Sequence, residues 1–242
     1  TNYIEGGAFA IGQLPPTRME VGQPIGVFYG LQTDGIFQNQ AQINASPVQN
    51  LGSPTSPGDI KFKDVNGDGV VDFKDRTYIG KSIADYTLGF NINLSYKNFD
   101  LLTYSYASVG NDMIRNYERT ENKLNKLNYQ LDRWTGEGST NVNPRVTTES
   151  THNNVFSSYY VEDGSFARLK NIQLGYNFPG AKLKKIKVDS FRVYVSANNL
   201  ITLTRYQGFD PDLGSSNALS AGVDYGFYPQ AKTFMGGVQL KF

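Results

Sequence analysis

The 242 residues contain no cysteine and a single histidine, His152. The first absence excludes a disulfide framework and any thiolate metal site. The second excludes a cluster of histidine metal ligands and leaves no spare parts for a Ser-His-Asp triad. An excess of one charge is also missing. Lys and Arg number 23 against 22 Asp and Glu, so the net charge is +1 and no nucleic acid or other polyelectrolyte is implied as a partner. The one basic run, Lys182, Lys184, Lys185 and Lys187, reads as a solvated turn. No apolar run approaches the ~18 residues of a membrane-spanning helix, which says nothing against a membrane β-barrel, whose strands alternate and keep mean hydropathy low. Phosphate-cradling glycine motifs are absent, and the scattered carboxylates show no spacing for glycoside hydrolysis. The chain therefore reads as a protein that is not an enzyme.

What is present points to β structure. Only 39% of residues are hydrophobic, yet 13% are aromatic, with 16 Tyr, 15 Phe and 25 Gly. Strands favour aromatics, tight turns use Gly, and Tyr and Phe populate interfacial belts. Five segments carry a two-residue period: Tyr86–Lys97, Phe99–Val109, Phe166–Phe178, Ser190–Thr204 and Lys232–Phe242. In the first, Tyr86, Leu88, Phe90, Ile92, Leu94 and Tyr96 alternate with Thr87, Gly89, Asn91, Asn93, Ser95 and Lys97. The second places Leu102, Tyr104 and Tyr106 in one apolar row opposite Thr103 and Ser105. An earlier strand is expected over Pro24–Leu31.

Alternation alone fits a half-buried sheet in a soluble protein. Three features favour a transmembrane barrel. The strands run to roughly 11–15 residues against a usual ~5–6, and a tilted span needs ~9–11. Their second face is small and neutral-polar, as a wet lumen wall would be. Aromatics cluster at strand ends, as in Tyr96/Phe99, Tyr159/Tyr160 and Tyr225/Phe227/Tyr228. A last strand ending in Phe242 suits an outer-membrane barrel, and placing that end in the periplasm orients the rest by parity. The short connectors Lys97–Asn98 and Pro179–Asp189 then become periplasmic turns. The long ones, Gly110–Ser165 and Arg205–Ala231, become extracellular loops. Within the first loop Leu124, Leu127 and Leu131 recur at helical spacing, so a helix is expected over Glu118–Trp134, with Trp134 as its packing anchor.

One segment carries explicit ligand chemistry. Asp64-Val65-Asn66-Gly67-Asp68-Gly69-Val70-Val71-Asp72-Phe73-Lys74-Asp75 places oxygen donors at positions 1, 3, 5, 9 and 12 of a calcium loop, with Gly69 at the sharp turn of position 6 and the Val70 carbonyl at position 7. The expected ligands of a structural Ca2+, with Mg2+ as the alternative, are Asp64, Asn66, Asp68, Val70, Asp72 and Asp75. Position 12 is Asp where an EF-hand has Glu, and the preceding Gly58–Lys63 reads as a strand. The pattern is therefore dockerin-like, with a helix expected only after the loop. An Asp/Gly-rich turn holding no metal is the alternative.

Four ordered blocks resemble the C-terminal region of SusC/RagA-type TonB-dependent transporters. They are Pro24-Ile25-Gly26 with Tyr29-Gly30 and Asp34-Gly35-Ile36-Phe37; Pro57–Asp64 leading through the acidic loop to Asp75–Lys81; Val161–Asn171 with Leu174-Gly175-Tyr176; and Asn198-Asn199-Leu200 with Tyr206-Gln207-Gly208-Phe209-Asp210-Pro211. The resemblance implies a 22-stranded barrel closed by an N-terminal plug. It also implies TonB energisation, a SusD-like surface lipoprotein as partner, glycan or peptide cargo, and residence as a multi-pass barrel in outer-membrane lipid. On this reading residues 1–242 are one barrel region, with a cation loop at 58–80 and extracellular loops at 110–165 and 205–231. Plug, TonB-contacting segment and most of the barrel lie outside it. The alternatives are a passive porin or adhesin barrel and a soluble calcium-binding β-module.

Overall fold

The computed structural model describes residues 2–7, 15–118, 127–180, 188–215 and 217–242. Short β-branched and aromatic runs, each interrupted by glycine or a charged residue, yield eight short strands: β1 (Tyr3–Gly6), β2 (Thr17–Glu20), β3 (Val27–Gly30), β4 (Thr33–Ile36), β5 (Val48–Gln49), β6 (Ile60–Phe62), β7 (Val70–Val71) and β8 (Thr77–Lys81). One five-residue helix, α1 (Gln40–Asn44), starts at Asn39, whose side chain accepts the Gln42 N–H. The strand expected over Pro24–Leu31 is shorter, because Pro24–Gly26 is consumed by a turn and Gly26 has a positive φ of 67°. Next come the hairpin β9 (Tyr86–Tyr96) and β10 (Phe99–Val109), then β11 (Asp112–Arg115), β12 (Val161–Asp163), β13 (Phe166–Asn177), β14 (Ser190–Thr204), β15 (Val223–Asp224) and β16 (Thr233–Lys241). Residues 119–126 of the helix expected over Glu118–Trp134 lie outside the described residues. Its described remainder is a single 3-10 stretch, Asn128–Asp132.

Two compact units emerge. The first comprises Thr1–Ile83, Asp112–Glu162 and Leu213–Gly226. Its sheets are small: β1-β2-β3-β8, β12-β11-β15, β4-β6 and the parallel pair β5-β7. Burial rather than strand pairing holds this unit. Phe28, Ile114, Phe156, Tyr160 and Val223 form one cluster; Leu31, Ile36, Leu51, Ile60, Phe62 and Val71 form another. Trp134 packs on the second cluster and donates its Nε1–H to Gln38, so it anchors packing as expected. The two long connectors are thus folded onto the first 83 residues, which the strand pattern alone did not announce.

The second unit is one antiparallel sheet in the order β16-β14-β13-β10-β9, built from Ala84–Asn111, Asp163–Asp212 and Phe227–Phe242. All five long strands stand where the two-residue period places them, with ends within one residue. Directly paired residues share a face. The register aligns Leu94, Leu101, Leu174, Val195 and Gly236 in one cross-strand row, and Leu88, Ala107, Ala167 and Leu203 in another. That face is apolar and bare: Phe90 is 62%, Leu203 67% and Phe234 73% exposed. Rows on the opposite face read Asn93, Leu102, Gln173, Ser196, Met235 and Ser95, Asp100, Gly175, Tyr194, Gly237.

Two departures from simple alternation matter. Lys170 is an extra residue in β13, facing Asn199 and Leu200 of β14, with Asn199 in the left-handed region at φ 52°. The bulge shifts the phase by one, so Leu169 and Ile172 both reach the apolar face while Arg168 and Asn171 stay opposite. Leu102, Tyr104 and Tyr106 pair with Asn93, Asn91 and Gly89, so this row lies on the polar face and not on the apolar one its own alternation suggests. A strand's period gives its two faces but leaves open which is which; pairing decides.

If the apolar face meets lipid, charge is tolerated on one face only. Phe90→Arg in the intact barrel protein should destabilise it by about 2–4 kcal/mol, while neighbouring Asn91→Arg stays within about 1 kcal/mol. Guanidinium titration in lipid vesicles measures both; equal penalties would contradict the assignment.

Candidate functional site

On the polar face a charged pair crosses a whole strand. Arg192 of β14 reaches Asp100 of β10 at 2.5 Å and 3.0 Å, over the intervening Gly175 of β13. A Cβ at Gly175 would strike both the guanidinium and the carboxylate, so glycine makes the bridge possible. Asn177 adds a hydrogen bond to Asp100 at 2.9 Å, and Gln239 of β16 accepts from Arg192 at 3.2 Å, so four strands are tied by one network. The chemistry is that of a polar wall braced against shear.

A second network stands at the other end of β13. Arg168, 3% exposed, donates to Asp210 at 2.5 Å and to Thr202 at 2.9 Å, and lies 3.5 Å from Asp212. The bulge residue Lys170 also pairs with Asp212, and Gln230 donates its backbone N–H to Asp210 at 2.9 Å. Burial works to raise the Asp210 carboxyl. Arg168 and the backbone N–H groups of Gln230 and Asp212 outweigh it and hold that carboxyl below its ordinary range. Arg168 and Asp210 both sit inside the sequence blocks that carry the family resemblance, but nothing in their spacing shows that they pair.

The acidic loop is closed on its own backbone. Asp64 accepts the N–H groups of Gly67 and Gly69 at 2.7 Å and 2.8 Å. Asn66, Asp68 and Asp72 each accept the N–H two residues on, at 2.7–2.9 Å. Asp75, fully buried, takes the N–H groups of Val65, Asn66 and Asp72 and so pins the two ends of the loop together. Gly69 has φ 84°, the turn required at that position. Val70 lies in β7 beside Val48, and Val71 is buried in the second core cluster.

The segment after the loop differs from the dockerin-like expectation. The loop ends in one 3-10 turn, Phe73–Asp75, closed by a capping box between Asp72 and Asp75, and leads directly into β8. The β-branched and aromatic run Thr77-Tyr78-Ile79 pairs with β3 instead of continuing a helix. As folded, the donor set suits a hard cation in type. Each carboxylate offers about four lone-pair sites, so one to three N–H bonds leave capacity. The side chains do not converge, however: among the described residues no group of three or more His, Cys, Asp or Glu is placed to hold a metal ion.

His152 is buried and structural. Gln49 receives the Phe62 N–H on its oxygen and directs its amide nitrogen at the Ile60 carbonyl and at His152 Nε2, 2.7 Å away. An amide nitrogen only donates, so His152 is the neutral acceptor there. Burial depresses its pKa.

The bare apolar face, the braced polar face and the folded connectors define the wall of an outer-membrane-type β-barrel with a packed loop assembly. No family model matches the chain. It is 37% identical over 227 residues to TonB-dependent receptor P3 of Formosa agariphila, covering 91% of the chain and 22% of that receptor. It is 29% identical over 217 residues to TonB-dependent receptor SusC of Bacteroides thetaiotaomicron, covering 89% of the chain and 20% of SusC. Among solved structures it superposes on the RagAB peptide transporter with a TM-score of 0.71 at 26% identity, covering 97% of the chain and 24% of that one. The chain is part of a TonB-dependent receptor of the SusC/RagA type. It spans about a fifth of the length of the curated relatives it matches.

The pKa directions fix an order of acid loosening. His152, depressed in the fold, contributes stability above ~6.5 that declines as pH drops below that value. Asp75, where burial raises the carboxyl but the N–H groups of Asp72, Asn66 and Val65 win and lower it, contributes fully above ~3.9 and is lost as pH falls through its depressed value. Hydrogen exchange, corrected for intrinsic rates, should show the Ile60 and Phe62 amides losing protection between pH 7 and 5. The Val65 and Asp72 amides should hold until about pH 4. Simultaneous loss would contradict this order.

Proposed function

We propose that the chain is the C-terminal wall and loop assembly of an outer-membrane importer, energised by TonB and working with a SusD-like lipoprotein on oligosaccharides or peptides. The observation that carries this is likeness to TonB-dependent receptors over nine-tenths of the chain, joined to a sheet with one lipid-compatible and one polar face. Residues 1–242 would belong to the barrel region, with 110–165 and 205–231 outside the cell. The plug and the TonB contact would lie in the remaining four-fifths of a protein of the relatives' length. This part would perform no bond chemistry; the Arg192–Asp100 and Arg168–Asp210 pairs would brace strands and loops.

Energised import and passive diffusion separate cleanly. In cells carrying the whole protein, uptake of its labelled cargo should stop within minutes of collapsing the proton-motive force with a protonophore. Uptake that continues unchanged would favour a porin.

We also propose that the acidic loop takes a divalent cation, Ca2+ or Mg2+, through Asp64, Asn66, Asp68, the Val70 carbonyl, Asp72 and Asp75, as a brace. The ligand spacing and the spare lone pairs of these carboxylates support it. Asp68→Ala removes one exposed oxygen ligand, which accepts the Val70 N–H. Calcium titration should weaken at least tenfold and exchange over residues 58–80 should quicken; an unchanged titration counts against the site.

A further inference from the structure

We infer that a polar groove between β4, α1 and the 137–141 segment binds a short extended peptide through side-chain carboxamides. The cavity measures about 760 Å3, inside the ~300–1,000 Å3 range of pockets that hold small ligands. Ala45, beside the buried Ile36, is the exposed apolar part of the lining, and Asp34, Gln42, Lys61, Glu137 and Asn141 supply the polar groups.

The outer edge of β4 explains the geometry. One edge of β4 pairs with β6. On the other edge, Asn141 Oδ1 accepts the Ile36 N–H at 2.8 Å, and Gln38 Nε2 donates to the Ile36 carbonyl at 3.0 Å. Side-chain amides therefore stand where the backbone of a next strand would stand. The row is extended by Gln42, whose Oε1 accepts the Gln38 N–H at 2.9 Å.

Gln38 spends both halves on the fold, its oxygen accepting from Trp134 and Gly138, whereas Asn141 and Gln42 use their oxygens on the fold and present their NH2 groups. Among the described residues no hydrogen bond within the chain takes the Asn141 or Gln42 amide nitrogen as donor. Glu137 accepts from Asn39 with one oxygen, at 2.5 Å, and keeps the second. Asp34 and Lys61 pair at 3.0 Å and are both partly exposed, so each retains capacity.

The groove thus offers amide donors, carboxylate acceptors and both charges. A peptide backbone presents carbonyls and N–H groups in alternation along one edge, and its termini carry one charge of each sign. A sugar ring, by contrast, offers C–H faces that are best held by an aromatic ring, and no aromatic residue lines this groove. The chemistry favours peptide over glycan, with the peptide lying along the amide row in the manner of strand addition. The groove's place in uptake rests on the importer reading; its binding does not.

Gln42→Glu with Asn141→Asp keeps both oxygens that serve the fold and removes both free NH2 groups. Calorimetric titration of the purified full-length receptor with tetra-alanine and with maltotetraose tests the inference. Tetra-alanine should bind, and the double variant should weaken it at least tenfold. Asn44→Asp, which adds charge to α1 outside the groove, should keep the original affinity. Maltotetraose should not bind. Tetra-alanine affinity unchanged in the double variant, equal loss in Asn44→Asp, maltotetraose in place of the peptide, or neither probe binding would each overturn it. Loss of protonophore sensitivity would overturn the importer reading instead, whatever the titration gives.

Discussion

Pairing of backbone groups in a fixed register is the constraint on which the rest depends. In hydrocarbon an unpaired N–H or C=O costs several kcal/mol, so a membrane wall has to be a sheet whose strands satisfy one another. Register then distributes every side chain between two faces, and a slip of one residue would exchange them. The Lys170 bulge and the left-handed Asn199 opposite it are how β13 and β14 keep their two halves in phase. The same constraint limits this stretch alone. β9 and β16 each pair on one side within the described residues, and in a bilayer their outer edges require further strands.

The polar face carries the second layer of organisation. Its central ion pairs tie β13 and β14 to their surroundings: one crosses strands, the other joins β13 to the connector after β14. Arg192 and Asp100 reach over Gly175, and Arg168 and Lys170 converge on Asp210 and Asp212. The first bridge resists sliding between strands that hydrogen bonds do not join directly. Buried pairs are weak sources of net stability, because desolvation offsets much of the attraction. Their contribution here is to geometry: a rigid wall at one end and an ordered connection to the 205–231 segment at the other.

Much of this was legible in the sequence, and the limits have physical reasons. Long alternating runs such as Tyr86–Tyr96 and Ser190–Thr204 fix strands because a period of two has few other uses at that length. The phase of β10 was not legible, since Leu102, Tyr104 and Tyr106 form an apolar row that only cross-strand pairing assigns to the polar face. Nor was the folded body around Phe28 and Ile60, whose strands are too short to show a period and whose contacts join residues a hundred positions apart. In the acidic loop the spacing named Gly69 and the oxygen donors. It did not reveal that Asp75 takes three backbone N–H groups, nor that the run after it pairs as β8.

The most direct test of the two-faced wall uses the absence of cysteine. In the full receptor, cleared of cysteine elsewhere, single cysteines along β14 from Arg192 to Leu203 would carry a nitroxide label in lipid vesicles. Positions Val193, Val195, Ile201 and Leu203 should be open to oxygen dissolved in lipid and closed to a water-soluble nickel chelate. Arg192, Tyr194, Ser196 and Thr202 should not be open to oxygen in that way. An accessibility that fails to alternate, or that opens Val195 and Leu203 to the aqueous quencher, would contradict a lipid-facing wall.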